Sequence, residues 1–205
     1  MRRAPGRSQV PGILVLLGAA ACLGCLSSPP ARHHVLNPVI ATPSPGTSNA
    51  ETPRIVGVGP VSLPAYLDRP QMVMRTPPDE ISLREFDQWA EPLRDGVTRV
   101  IALNLARLLP ESHVVVFPWR SSEKIRYQIL LEVAQMDGPA GGTVTLDARW
   151  RLLDAGGKQI VARVVHLSEP AGPSAATTAS AMSRAIGTLS RDIADELRAT
   201  EGWRP

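Results

Sequence analysis

Apolar side chains at Ile55, Val56, Val58, Val61 and Leu63 fall on both faces of an extended stretch, the pattern of a strand covered on both sides. Residues 54–63 are therefore expected to form a central strand. Gly57 and Gly59 leave space for a neighbouring element to approach closely, and Pro60, which has no N–H to give to a ladder, marks a bulge or the end of regular pairing. Pro64 and Pro70 bracket a stiff corner, because each fixes its own φ and pushes the preceding residue towards extended geometry. Residues 71–75 read as a second strand leaving that corner. Residues 80–84, with Ile81 and Leu83 on one face, read as a third.

Residues 86–89 lead into a long helix with Pro92 in its first turn, where a missing N–H costs nothing. Leu93, Val97, Val100, Ile101, Leu105 and Leu108 recur at spacings of three and four and make one buried stripe, which Pro110 ends. The continuous run Val114, Val115, Val116, Phe117 reads as a covered strand. Strict alternation follows. Ile125, Tyr127, Ile129, Leu131 and Val133 face one way, as do Val144, Leu146, Ala148, Trp150 and Leu152, with Arg126, Gln128, Glu132, Thr145, Asp147, Arg149 and Arg151 opposed. This is a half-exposed hairpin, extended into a meander by residues 159–167, with turns at residues 137–142 and 154–158. Residues 174–198 close the chain with a helix whose stripe is Met182, Ile186, Leu189, Ile193 and Leu197, lined by Ala179, Ala181, Ala185 and Ala194. The order predicts one α/β (α+β) sandwich domain on a mixed, largely antiparallel sheet with two long helices.

The first residues change the picture of where this domain works. Arg2, Arg3 and Arg7, an apolar centre at residues 13–17 and small residues at 18–24 match a secretory signal, too short to span a membrane. The two cysteines, Cys22 and Cys25, sit at its exit, where neither can staple the fold and where bacterial lipoproteins carry their acylated cysteine. Residues 1–24 are thus expected to be a lipoprotein signal peptide and residues 25–52, rich in Ser, Pro, Thr, Ala and Asn, a lipidated flexible tether. The domain is expected from residue 53 to 205. Two or more acyl chains mean durable residence on a membrane. Of the 22 basic side chains, three leave with the signal, against 19 acids that all follow it, so the mature chain is close to neutral. That charge gives no footprint for nucleic acid.

Several of these residues carry a family resemblance. Val58-Gly59-Pro60-Val61 followed by Leu63-Pro64-Ala65-Tyr66-Leu67-Asp68-Arg69-Pro70-Gln71, with Cys25, Ser27-Ser28-Pro29-Pro30-Ala31-Arg32 and Trp89-Ala90-Glu91-Pro92-Leu93 in order, resembles the ABC-type transport auxiliary lipoprotein (PqiC-like) family. The resemblance implies a fold like the amino-terminal domain of the translocation protein TolB and acylation at Cys25. Cys22, standing where leucine is usual, is the alternative. It places a strand start at Arg32 to Leu36, where His33 and His34 replace aromatics. With Leu26 rather than aspartate after the acceptor, it implies sorting to the periplasmic face of the outer membrane. It further implies a non-catalytic component of an MCE/ABC-type intermembrane lipid transport system. Its partners would be a periplasm-spanning MCE-domain protein and, through it, an inner-membrane ABC permease and ATPase. Symmetric partners would favour a homo-oligomer, which nothing in the sequence itself encodes.

Candidate chemistry is sparse. No nucleophile, base and orienting group stand in a recognisable local motif, so an enzyme is not expected. Gly156-Gly157-Lys158 lacks the rest of a phosphate loop and reads as a turn, and His33-His34 without neighbouring Cys, Asp or Glu is no metal set. No cofactor is expected. His113 and His166 lie in strand patterns, while Asp87, Glu91 and Asp95 read as an acidic helix start. The corner Tyr66-Leu67-Asp68-Arg69 is the candidate partner surface, braced by an Asp68–Arg69 pair, with Trp89 beside it or buried beneath the helix start. Trp119 and Trp203 are candidates for exposed apolar residues. Two other functions share the same features: an envelope lipoprotein that binds and regulates a peptidoglycan synthase, and a monomeric lipid carrier with an internal cavity.

Overall fold

The computed structural model describes residues 29–42, 54–76, 79–200 and 203. Strand β2 (Arg54–Ser62) lies between two parallel neighbours, β5 (Ser112–Val116) and β6 (Tyr127–Asp137), the position expected of it. Its glycines explain how. A Cβ on Gly57 would stand 2.8 Å from the Trp119 ring, and Gly59, at φ 115°, would put one 2.8 Å from Phe117 Cβ. The chain after β5 folds back over these two bare positions. Pairing with β6 shifts register between Val58 and Val61, around Pro60, so the proline marks a bulge.

From β6 the chain runs as an antiparallel meander through β7 (Thr143–Asp154) and β8 (Gln159–Pro170), completing a five-stranded sheet in the order β5-β2-β6-β7-β8. The first turn uses Gly141 at φ 72°, and the second uses Gly157 at φ 78°. Asp154 Oδ1 accepts from the N–H groups of Gly156 and Lys158, 2.9 Å each. Tyr127, Ile129, Leu131, Val133, Val144, Leu146, Ala148, Trp150 and Leu152 are all buried, as the alternation required.

Helix α1 (Leu93–Leu108) packs on β2 and β5, helix α2 (Ala175–Ala199) on β7 and β8, and the helices pack on each other. Ser174 caps α2, accepting from Thr177 N at 3.2 Å while Thr177 Oγ1 accepts from Ser174 N at 3.2 Å. Both buried stripes are as the spacing required, with Leu108 only half-buried. Asn104, fully buried in α1, donates to Ser190 Oγ of α2 at 3.3 Å, so the interhelical seam carries a polar rivet.

A second sheet of three strands joins β1 (Arg32–His34), β4 (Glu80–Trp89) and β3 (Gln71–Thr76) in the order β1-β4-β3, with β1 parallel to β4 and β3 antiparallel to it. The mixed α+β sandwich therefore holds, with its strands divided between two sheets.

Five expectations need correction. Residues 86–89 belong to β4 and do not lead into the helix: Trp89 N donates to Pro70 O at 2.7 Å, which keeps the strand extended to its end. Asp87, Glu91 and Asp95 are consequently split between a strand, a loop and a helix. The run at residues 114–117 is an edge strand, and Val116 and Phe117 are exposed. Trp203 is buried against Tyr127, ring centroids 5.8 Å apart. Trp119 is half-buried over Gly57.

The fifth correction concerns the start of the domain. The packed unit begins at Ala31, well before residue 53. After β1, residues 35–40 lie over the seam between the helices. Leu36 is buried, Asn37 N donates to Ser183 Oγ at 3.1 Å, and Arg107 Nη1 donates to Ile40 O at 2.7 Å. Gly187 of α2 makes room for this strap, since a Cβ there would stand 2.2 Å from Val39 Cγ2. The rest of the expected tether, including Cys22 and Cys25, lies outside the described residues.

Candidate functional site

The corner between β2 and β3 is built from short local bonds. Leu67 N donates to Pro64 O and Arg69 N to Leu67 O, both at 2.9 Å, and the prolines fix the remaining backbone. Leu67 points inward and is 1 % exposed, so it belongs to the core and offers nothing to a partner. Asp68 does not brace Arg69. It accepts instead from Arg94 Nη2 at 2.9 Å, tying the corner to the first turn of α1. Both side chains of that pair are more than a third exposed, so water screens it and its contribution to stability is small.

Asp68, Arg69, Pro70, Trp89, Glu91 and Arg94 line a groove of about 400 Å³ where the corner meets the start of α1. Trp89 forms its buried floor, and Arg69 holds a buried Nε without an acceptor among the described residues. The structure thus brings Asp68, Arg69 and Trp89 together. It adds Arg94 and Glu91, which sequence reading did not join to them. The i, i+3 step from Glu91 to Arg94 was visible, but not that the corner would fold against it. Glu91 is ion-paired with Arg99.

Tyr66 turns the other way. Its hydroxyl donates to Asp137 Oδ2 at 2.7 Å, and Asp137 also accepts from Arg75 Nε at 2.7 Å, Arg75 Nη2 at 3.1 Å and Gln135 Nε2 at 2.9 Å. A fully buried carboxylate is thereby satisfied by four donors from the corner, β3 and the end of β6. Burial, together with the bond to Asp137, pushes the Tyr66 hydroxyl up to about 12. The bond to Asp137 raises the Arg75 guanidinium further above its ordinary value. Beside this cluster Arg75 N donates to Gly138 O at 3.1 Å, so the two sheets are joined here. Asp137 looked like a turn residue; its place at the end of a long apolar strand was the available signal.

A second buried acid fastens the amino-terminal strand. Asp87 accepts a fork from Arg32, Nε and Nη2 each at 2.9 Å, and bonds His34 Nε2 at 2.9 Å. Burial works to raise the carboxyl, but the bonds from Arg32 and His34 outweigh it and hold Asp87 below the usual carboxylate range. His166 pairs across strands with Asp147 at 2.5 Å in an exposed position, and His113 is exposed on β5.

None of these arrangements positions a nucleophile beside a free base. The acids are already engaged by arginines, and no group of three metal-binding side chains occurs among the described residues. A groove of about 630 Å³ between β6, β8 and the end of α2 is rimmed by Arg126, Asp154 and Glu196. It is an open surface feature, unlike the apolar hollow an internal lipid carrier needs. No helix among the described residues is long and apolar enough to cross a membrane. The geometry therefore suits contact, with a stiff, polar-walled corner set on a rigid scaffold.

Comparison with known proteins gives the fold and the family. No curated protein matches the chain. A solved structure of an uncharacterized protein matches with a TM-score of 0.66 at 20% identity, covering 82% of this chain and 99% of that one. A Xanthomonas campestris protein of the DUF330 family matches with a TM-score of 0.57 at 15% identity, covering 80% and 90%. These likenesses establish a shared fold. The family described as the ABC-type transport auxiliary lipoprotein component matches residues 34–194, from the end of β1 to the last turns of α2, so the strap, the corner, the groove and both helices fall within it. This long match leads to one assignment: the chain belongs to the ABC-type transport auxiliary lipoprotein family.

Proposed function

We propose that this chain is the lipid-anchored, non-catalytic outer-membrane component of an MCE/ABC-type intermembrane lipid transport system. Cys25 carries the acyl groups, and the domain stands at the periplasmic face of the outer membrane. There it docks the periplasm-spanning MCE-domain protein, which connects it to the inner-membrane permease and ATPase. The observation that carries this reading is the family match beginning at residue 34, nine residues after a cysteine placed as a lipid acceptor.

The groove walled by Asp68, Arg69 and Arg94 over Trp89 is the docking feature we assign to the partner. Arginine side chains beside a fixed aromatic floor make the kind of surface that interfaces favour.

Co-purification from detergent extracts tests the proposal. The MCE-domain protein is expected with the wild-type chain. With Arg69→Glu it is expected at about a tenth of that level or less, the loss that corresponds to roughly 1.4 kcal/mol of binding. Persistent absence of that protein from wild-type preparations would refute the docking role. Unchanged recovery with Arg69→Glu would move the surface elsewhere.

A further inference from the structure

Residues 117–126, between β5 and β6, hold two aromatic side chains that the fold covers only in part. Val56 and Val58 of β2 point into the core beneath the helices, so by the two-residue period Gly57 and Gly59 lie on the opposite face of the sheet. The loop crosses that face. Trp119 rests over Gly57 and Phe117 over Gly59, their rings edge to face with centroids 5.4 Å apart. Covering two glycines uses only part of each ring, because Phe117 remains 50% exposed, beside Val116 at 45%, and Trp119 is half-buried.

Charge says what this patch fits. Arg120, Lys124 and Arg126 are exposed on the same loop, and none of them is paired with a carboxylate among the described residues. Arg126 lies over the Tyr127 ring, 5.6 Å from its centroid. Glu123 is the loop's one acid and is half-buried, while Glu132 and Asp147, on the same sheet face, are taken by Arg151 and His166. The surplus is therefore positive and surrounds the aromatic pair. Phe117, Trp119, Arg120 and Lys124 line none of the described grooves, so the patch offers no seat for an inserted partner side chain. A bilayer surface needs no such seat. Aromatic rings settle at headgroup depth, and each Lys or Arg adds attraction to anionic lipid.

We propose that the 117–126 loop is a contact surface for anionic lipid headgroups. Phe117 and Trp119 enter the headgroup layer, and Arg120, Lys124 and Arg126 meet the headgroup phosphates. This site is separate from the docking groove and depends neither on it nor on which cysteine is acylated.

The chain's own tryptophans supply the test. Trp89, Trp150 and Trp203 are buried, which leaves Trp119 as the one a bilayer can reach. Mature wild-type protein is mixed with vesicles of chain-brominated phosphatidylcholine, with or without phosphatidylglycerol as about a third of the lipid. Quenching is expected to be about threefold or more stronger in the anionic vesicles and to fall to the phosphatidylcholine level in high salt. Trp119→Phe should abolish the difference. Arg120→Gln combined with Lys124→Gln, two exposed sites that leave the core untouched, should remove most of it. Equal quenching in both vesicle types would overturn the match to anionic lipid. Absence of Trp119 quenching in protein recovered with the anionic vesicles would overturn the membrane contact itself. Shielding of Trp119 from acrylamide by the MCE-domain protein, without lipid quenching, would overturn it in favour of an acidic protein surface. Protein that does not float with plain phosphatidylcholine vesicles would overturn the anchor alone, since the quenching difference is read with or without it.

Discussion

Asp137 meets four donors from three segments inside a closed interior, and its removal has a different consequence from that of any one donor. Asp137→Ala leaves the half-buried Arg75 and Tyr66 without their carboxylate, so a loss of about 1.5–3 kcal/mol is expected in urea unfolding. Tyr66→Phe takes away one donor while the carboxylate keeps three, and about 1–1.5 kcal/mol is expected. Because the Tyr66 hydroxyl is raised to about 12 in the fold, its contribution is complete below the ordinary tyrosine range near 10 and fades as pH rises through the folded value. The phenolate absorbance that distinguishes wild type from Tyr66→Phe should therefore appear near pH 12. Asp87 behaves in the opposite sense. Its lowered value means that the stability it contributes is present above the ordinary carboxylate range near 3.8 and is lost as pH falls below it. Urea midpoints of wild type and Asp87→Asn should be separated at pH 6 and converge by the acid limit.

At the scale of elements, two glycines set how closely segments approach. In Gly57→Ala the new methyl meets the Trp119 ring and Ile125 over a closed sheet, and overpacking of about 1–3 kcal/mol is expected by urea unfolding. Gly187→Ala is a contest. Alanine favours the helix by about 1 kcal/mol, but it strikes Val39 on a strap that has solvent on its other side. Global stability should change little while the strap lifts, seen as faster amide exchange at residues 35–40 with α2 unaltered.

The same elements show what could be read in advance. β2, β6, β7 and both helices were legible because their burial is periodic and the period is written in side-chain type. β1 was reached only through the family resemblance and not by periodicity, since its three residues are polar and are held by Asp87 from a distant strand. The end of β4 was misread because residues 86–91 suit a helix start as well as a strand; the bond from Trp89 N to Pro70 O decides, and that contact is tertiary. The candidate site was legible in part. Asp68, Arg69 and Trp89 were named and do converge, whereas Leu67 and Tyr66 look outward only until the corner is folded.

For the whole molecule, the proposed anchorage depends on one acceptor. Cys25→Ala is expected to abolish acyl labelling by palmitate and to move the chain from the membrane to the soluble fraction, measured by fractionation of cells. Unchanged labelling would assign the acceptor to Cys22. The strap and β1 also bear on how such a chain would behave under tension. A pull from a lipid-held amino terminus enters the fold at Arg32, along a three-residue parallel ladder and a guanidinium fork on Asp87. Loaded lengthwise, such a ladder must break all its bonds at once instead of opening one at a time.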